Sequence, residues 1–527
     1  MPELSEQHKV TRAAGVVGLS TLASRVAGFV RDLVIAYFFG AGPAADAFFV
    51  AFRIPNLLRR LFAEGTLTIA FIPVFTEVLK KRGREEAYLL ARSTASLLAL
   101  ALLVVCAAGV YFAPQVVRVI APGFTPGQGT FSLAVSLTRW CLPFIFFISL
   151  VALAGGVLNS LGHFFAPAAA PALFNLCIIA AATALAPRVD PPVLSLALGV
   201  LIGGVAQLIM QLPYLRARGL SLRPAWRIKD PALMRILRLM GPAAFGAAVY
   251  QVTVLINTML ASLLPSGSVS YLYYADRLIQ FPLGIFAIAV STAILPSLSR
   301  QAADQDQAAL VGTMGYGLRL IIFITVPAMV GLMVLAQPLV TVLFMRGEFT
   351  LAMSQETAGA VLGYAMGLWG YAGVRAVVQA FYALKDTKTP VAVAAVCLLI
   401  NLGCSLALMG PFKQVGLALA TSISGVANLL LLLWLLRRRL GPLGGRRLLR
   451  SGLGTCAAAA VMGLLVWLVA FGPDWGPPRG YLGRWLRPLA ALITGGGVYF
   501  LAAWLFRLPE LKELASVMKR RQEADQA

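Results

Sequence analysis

SRVAGFVRDLVIAYFFGAGPAADAFFVAFRIPNLLRRLFAEG, residues 24–65, decides the reading of this chain. It reads as two apolar helices that carry Arg25, Arg31, Asp32, Asp46, Arg53, Arg59, Arg60 and Glu64 where lipid should forbid charge. An Arg or Asp at a bilayer centre costs about 2.5–3.5 kcal/mol on insertion scales, so such groups usually face a protein interior or a wet cavity. Several in one hairpin predict a cavity with cationic walls. A cationic cavity inside a membrane predicts an anionic cargo.

The rest of the chain supplies the membrane setting. Of its 527 residues 59% are hydrophobic and 12% charged, and mean hydropathy is +0.82. Repeated apolar segments of about 20 residues predict an all-α polytopic membrane protein rather than a barrel, whose strands would be short and alternating. About fourteen transmembrane helices are expected, near 14–40, 45–78, 87–113, 130–158, 165–187, 192–215, 233–264, 269–297, 308–336, 353–382, 388–411, 414–437, 447–471 and 483–507. The polar start MPELSEQHKV and the long apolar run after it do not read as a cleavable signal peptide. The six Cys lie in apolar runs with no CxxC pair and read as small buried hydrophobes. His8 and His163 are the only histidines, so a metal site or a Ser-His-Asp triad has almost no material.

The net charge of +23 could suggest nucleic acid, but its distribution is topological. Alternate loops and both termini hold clusters such as Lys80–Arg84, Arg216–Arg238, Arg437–Arg450 and Lys519–Arg521. The opposite loops hold only Arg118, Arg188, Arg346, Lys413, Arg479, Arg484 and Arg487. This asymmetry sets both termini in the cytoplasm and puts the basic loops against lipid headgroups, with no nucleic-acid partner.

The chain also repeats itself. AEGTLTIAFIP (63–73) aligns with FAIAVSTAILP (286–296), Pro167 with Pro390, and GGVAQ (203–207) with SGVAN (424–428). The near-constant offset predicts duplication of a six-helix unit, the copies related by a pseudo-two-fold along the membrane normal. The expected domains are an N-lobe (1–220), a C-lobe (221–440), two extra helices (441–508) and a cytoplasmic amphipathic tail (509–527).

On a regular helix Arg25 and Asp32 share a face, with Arg31 rotated away. Asp46, Arg53, Arg60 and Glu64 share a face of the second helix. Pro55 is a candidate kink, and the wheel alone does not decide whether Arg59 or Arg60 faces the cavity. Arg31-Asp32 and Asp276-Arg277 read as pairs able to exchange partners. Salt-bridged glue between helices is the competing reading for each residue. The excess of Arg over acid favours an anionic ligand, and the planar guanidinium suits phosphate. There is no P-loop, so ATP is not the evident energy source.

The segments SRVAGFVRD (24–32), DAFFVAFRIPNLLRRLFAEG (46–65) and SGSVSYLYYADRL (266–278) make the chain resemble the bacterial lipid II flippase family MurJ, also called MviN, of the MOP exporter superfamily. The likeness spans essentially the whole chain. It implies a two-lobed, fourteen-helix fold. It also implies export of undecaprenyl-pyrophosphate-linked disaccharide-pentapeptide across the cytoplasmic membrane for peptidoglycan synthesis. It implies that Arg25, Arg31, Arg59 and Arg277 hold the pyrophosphate and head group. Asp32, Asp46 and Glu64 resemble the family's acidic partners and gate residues. Arg53 and Asp276 join them as charge partners on the pattern above. The last two helices, about 447–507, would form a groove for the polyprenyl tail. Gln280 departs from relatives that carry an acid there. Some relatives bind sodium through carboxylates of the second lobe, and helices 233–264 and 388–411 here contain no Asp or Glu.

The alternative is a cation-coupled exporter of small drugs from the same superfamily. Its cavity should be acidic or neutral, which the arginines oppose. A polyprenyl-phosphate glycosyltransferase would need catalytic carboxylates in sizeable loops, and a scaffold for cell-wall enzymes would need no charged interior. No cofactor or metal is expected. Membrane potential or an ion gradient would drive transport, with the coupling ion open. The expected partners are lipid II, the bilayer and other cell-wall synthesis proteins, and nothing demands more than a monomer.

Overall fold

The computed structural model describes residues 2–60, 67–220, 223–471, 480–511 and 513. Glu64 and all but the start of the expected amphipathic tail lie outside them. Among the described residues every regular element is helical, the class expected from composition. Nine helices there are long and apolar enough to cross a membrane, or ten if the bent pair Leu351–Ala365 and Leu368–Ala383 is one span. Two of the nine each cover two expected spans. One contains Gly83 at φ 85°, ψ −179°, and the other breaks at Lys413, φ 49°, ψ −131°. Fourteen crossings therefore stays an expectation of the sequence.

The chain divides into two compact units, Met1–Ser270 with Arg346–Phe349, and Tyr271–Met345 with Thr350–Ala527. The first unit contains α1 (Pro2–Phe39), α2 (Pro43–Leu58), α3 (Leu67–Tyr111), α4 (Ala113–Ile120), α5 (Gly129–Cys141), α6 (Phe144–Ser160), α7 (Phe165–Ala184), α8 (Leu194–Arg216), α9 (Pro231–Ser262) and the first turn of α10 (Ser268–Pro282). Here α1 packs on α7, α7 on α8, α2 on α5, and α3 on α6 and α9. Phe71, Phe75, Leu90, Leu158, Leu233 and Ile236 fill one apolar core, which is how α9, expected as the first helix of the second lobe, comes to sit on α3. Helices α7 and α8 approach closely because Gly203 faces Phe174. A Cβ there would stand 2.7 Å from the ring, so only glycine admits this spacing.

The second unit contains the rest of α10, a π-helical turn Leu283–Ala287, α11 (Ile288–Ala303), α12 (Gln307–Val334), α13 (Ala336–Phe344), α14 (Leu351–Ala365), α15 (Leu368–Ala383), α16 (Lys388–Leu440), α17 (Gly445–Phe471) and α18 (Gly480–Leu505). The π turn follows Pro282, whose missing N–H breaks the regular ladder. The two extra C-terminal helices pack on α12 through Phe323, Met462, Val466, Tyr499 and Ala503. Arg319 on α12 donates to Glu510, which lies just beyond α18 and is fully buried.

One aligned pair of positions, Gly203 and Ser424, lies at a helix contact in each unit. Gly203 on α8 lies against Cys177 of α7. Its counterpart Ser424, in the second half of α16, donates to the carbonyl of Cys397 in the first half.

Candidate functional site

Of the charges in the opening hairpin, Arg25, Arg31 and Asp32 fall on α1 and Asp46 and Arg53 on α2. Arg25 is exposed, and six residues later Arg31 and Asp32 are buried. Arg31 donates from Nε (3.0 Å) and Nη2 (2.7 Å) to Asp32 Oδ1, and from Nη1 to Asn175 Oδ1 at 3.0 Å. Asn175, on α7, donates in turn to the carbonyl of Ser24 at 3.2 Å. The side chains of Arg31 and Asp32 keep 11% and 1% of their accessible surface. A pair this buried survives because it is hydrogen-bonded as well as charge-matched. Arg31 and Asp32 are thus paired, as the sequence anticipates. The third member, Asn175, was missed, although a lone Asn in the apolar run PALFNLCII was a readable signal.

Asp46, 2% exposed, opens α2 with a different partner. Its carboxylate accepts from Gly267 N at 2.6 Å, Ser270 N at 2.8 Å and Ser270 Oγ at 2.6 Å. These donors belong to the loop and first turn of α10, so Asp46 caps a helix distant in sequence. Orphan N–H groups at a helix start favour a carboxylate both by hydrogen bonding and by the helix dipole. The same unit holds a second link of this kind, as Glu348 N donates to the carbonyl of Tyr37, the end of α1, at 2.9 Å.

Arg53 on α2, and Arg59 and Arg60 just past its end at Leu58, are half-buried. Arg59 donates from Nε (3.3 Å) and Nη2 (3.0 Å) to Asn56 Oδ1. Pro55 is buried inside α2, and residues 59–60 form a π-type turn after it. A wider turn breaks the 100° wheel, which is why that wheel does not rank Arg59 against Arg60.

In the second unit Arg277 is half-buried on α10. It donates from Nη2 to Tyr273 Oη at 2.8 Å, and its guanidinium lies 4.7 Å from the centre of the Tyr273 ring. The neighbouring Asp276 accepts from Gln280 at 3.4 Å. Tyr273 was not singled out from sequence, though it lies one turn before Arg277. Arg31, Arg59 and Arg277 thus each donate to a polar side chain beside them, Asp32 and Asn175, Asn56, and Tyr273. Among the described residues no three His, Cys, Asp or Glu side chains converge as metal ligands would.

Comparisons with known proteins place the chain in a family. A family profile described as lipid II flippase MurJ matches residues 35–475. A probable lipid II flippase MurJ of Vibrio cholerae serotype O1 is 38% identical over 98% of this chain and 99% of its own. The lipid II flippase MurJ of Burkholderia cenocepacia is 37% identical over 94% and 97%. A solved lipid II flippase MurJ in an inward closed conformation superposes with a TM-score of 0.76 at 27% identity, covering 92% of this chain and 98% of that one. An inward-facing multidrug resistance MATE transporter of the MOP superfamily reaches 0.68 at 14% identity, covering 80% and 96%, a likeness of fold alone.

Proposed function

Because the chain belongs to the lipid II flippase MurJ family, we propose that it carries lipid II, the undecaprenyl-pyrophosphate-linked peptidoglycan precursor. It moves this lipid from the inner to the outer leaflet of the bacterial cytoplasmic membrane by alternating access. The chain is a transporter, not an enzyme. Arg25, Arg31, Arg59 and Arg277 bind the pyrophosphate and head group, while the polyprenyl tail stays in lipid along α17 and α18. Asp32, Asp46, Arg53, Glu64 and Asp276 serve as charge partners and gate residues. Both termini lie in the cytoplasm, on the side of the basic loops. Membrane potential is the favoured driver, since moving one charge through 100 mV is worth about 2.3 kcal/mol.

The single observation that carries this reading is the concentration of arginines in α1 and α2, inside a chain whose family match is nearly end to end. A drug exporter shares the fold of the MATE neighbour, but its usual cationic substrates would be repelled by these groups. Lipid II translocation in proteoliposomes tests the proposal, with wild type compared with Arg25→Ala, Arg59→Ala and Arg277→Ala, each checked for folding. Translocation by wild type and its loss in the variants is the expected result. Normal translocation by the variants would reduce the arginines to helix–helix glue. A folded wild type that moves no lipid II under an imposed potential would overturn the function itself.

A further inference from the structure

We propose that Asn175 is a positioning residue for Arg31, a neutral clamp that orients the guanidinium for the anionic head group without cancelling its charge. The inference rests on the reading of Arg31 as a head-group ligand and adds a residue that reading does not include.

All three nitrogens of the Arg31 guanidinium are held. Asp32 Oδ1 takes Nε and Nη2, and Asn175 Oδ1 takes Nη1. The carboxylate alone would leave the group free to swing about one oxygen. The Asn175 amide fixes its plane. That amide is itself fixed, because Nδ2 donates to the Ser24 carbonyl. The two bonds have opposite polarity, so only one orientation of the amide satisfies both. Asn175 is 6% exposed, and it sits on α7 against α1, where a rigid helix pair holds it. Gly28 completes the seat, since a Cβ there would stand 3.3 Å from Nδ2. A long arginine otherwise loses rotamer freedom when it grips a ligand, and a pre-set guanidinium avoids part of that cost.

The chemistry of residue 175 matters as much as its position. Arg31 and Asp32 are together neutral. A second carboxylate at 175 would make the cluster anionic and repel a pyrophosphate, whereas the amide accepts the same hydrogen bond and adds no charge. Asn175→Asp therefore keeps the volume and one acceptor yet reverses the local electrostatics.

The test is lipid II affinity measured by titration into nanodiscs holding the full chain. Asn175→Asp, Asn175→Ala and Gly28→Ala are each made alone, and Asn175→Ala also in an Arg31→Ala background, with thermal stability recorded for every variant. Loss of one hydrogen bond to a charged group corresponds to about tenfold in affinity. We expect about that loss for Asn175→Ala, a larger one for Asn175→Asp, and a smaller one for Gly28→Ala. In the Arg31→Ala background Asn175→Ala should add less than about twofold, because the residue acts through Arg31. An equal loss in both backgrounds, or none in either, overturns the positioning role while leaving Arg31 as a ligand. Unchanged affinity in folded Arg31→Ala removes Arg31 from the site and the inference with it. If Asn175→Ala does not fold, the comparison of Asn175→Asp with Gly28→Ala decides. An affinity loss for the first that is no larger than for the second overturns the charge argument.

Discussion

Asp46 and Ser270, 224 residues apart, are joined by two hydrogen bonds, from the backbone N–H at 2.8 Å and from the side-chain hydroxyl at 2.6 Å. With Gly267 N at 2.6 Å, three donors converge on one buried carboxylate. Gly267 has φ 95°, a left-handed conformation that glycine adopts at little cost and that helps turn its N–H toward Asp46.

This convergence predicts the order of damage on substitution. Asp46→Ala should lower stability by about 2–4 kcal/mol, because charge-assisted bonds are lost and buried donors are orphaned. Asp46→Asn should cost nearly as much, since its NH2 would face N–H donors. Ser270→Ala removes one bond and should cost about 1 kcal/mol. Thermal unfolding in detergent or nanodiscs ranks the three, and a Ser270→Ala defect equal to Asp46→Ala would refute the capping role.

Arg277 and Tyr273 form a second testable pair. Tyr273→Phe removes the hydrogen bond but keeps the ring beneath the guanidinium, and should weaken lipid II binding about fivefold or less. Tyr273→Leu removes both and should weaken it further, by the additional 0.5–2 kcal/mol or so of a cation–π contact. Equal binding by Phe and Leu variants would show that the ring contributes nothing.

Arg319 and Glu510 fasten the segment just beyond α18 to α12. Glu510 Oε1 accepts from Arg319 Nε at 3.1 Å and from Ser451 Oγ at 2.7 Å, whereas Oε2 has no hydrogen-bond partner among the described residues. Breaking a buried pair from one side costs about 3 kcal/mol or more. Glu510→Ala should therefore loosen α17 and α18, seen as faster proteolysis between them and a lower melting temperature. Glu510→Gln keeps the accepting oxygen and should cost less. Equal costs for the two variants would mean that charge alone matters here.

His163 gives the expected pH dependence. It lies between α6 and α7, stacks on Tyr214 at 4.5 Å, and its Nε2 accepts from Ala166 N at 3.4 Å. Burial first, and then the Arg218 guanidinium, hold its pKa below the ordinary value. The unfolded chain therefore binds the proton more readily. The contribution to stability is fully present above about pH 6.5 and is lost as pH falls from there through the lower folded value. His163→Gln should flatten the pH dependence of the melting temperature between about pH 5 and 7. A wild type with no slope in that window would refute the assignment.

Much of the site was legible because buried charge in an apolar helix is expensive and therefore conspicuous. Arg31, Asp32, Asp46, Arg277 and Asp276 stand out in any hydropathy reading. Their partners do not. Asn175 and Ser270 are ordinary polar residues of helices, and nothing in their spacing says which charge they meet, whereas Tyr273 lies one turn before its partner Arg277. Asn56 is spaced the same way, three residues before Arg59, yet the π-type turn beyond Pro55 defeats the wheel that would have paired them.

The helical membrane class, the family and the places where cations enter the apolar segments are legible in the amino-acid order. These follow from composition, apolar runs about 20 residues long and motifs, all of which are local. Only the packing of the helices puts Arg31 between Asp32 and Asn175, makes Asp46 cap a helix more than two hundred residues away, and pins the segment just beyond α18 to α12. Each depends on which helix faces which. Apolar helices of similar composition pack almost interchangeably by area, so only close steric fit and the pairing of buried polar groups select the neighbour.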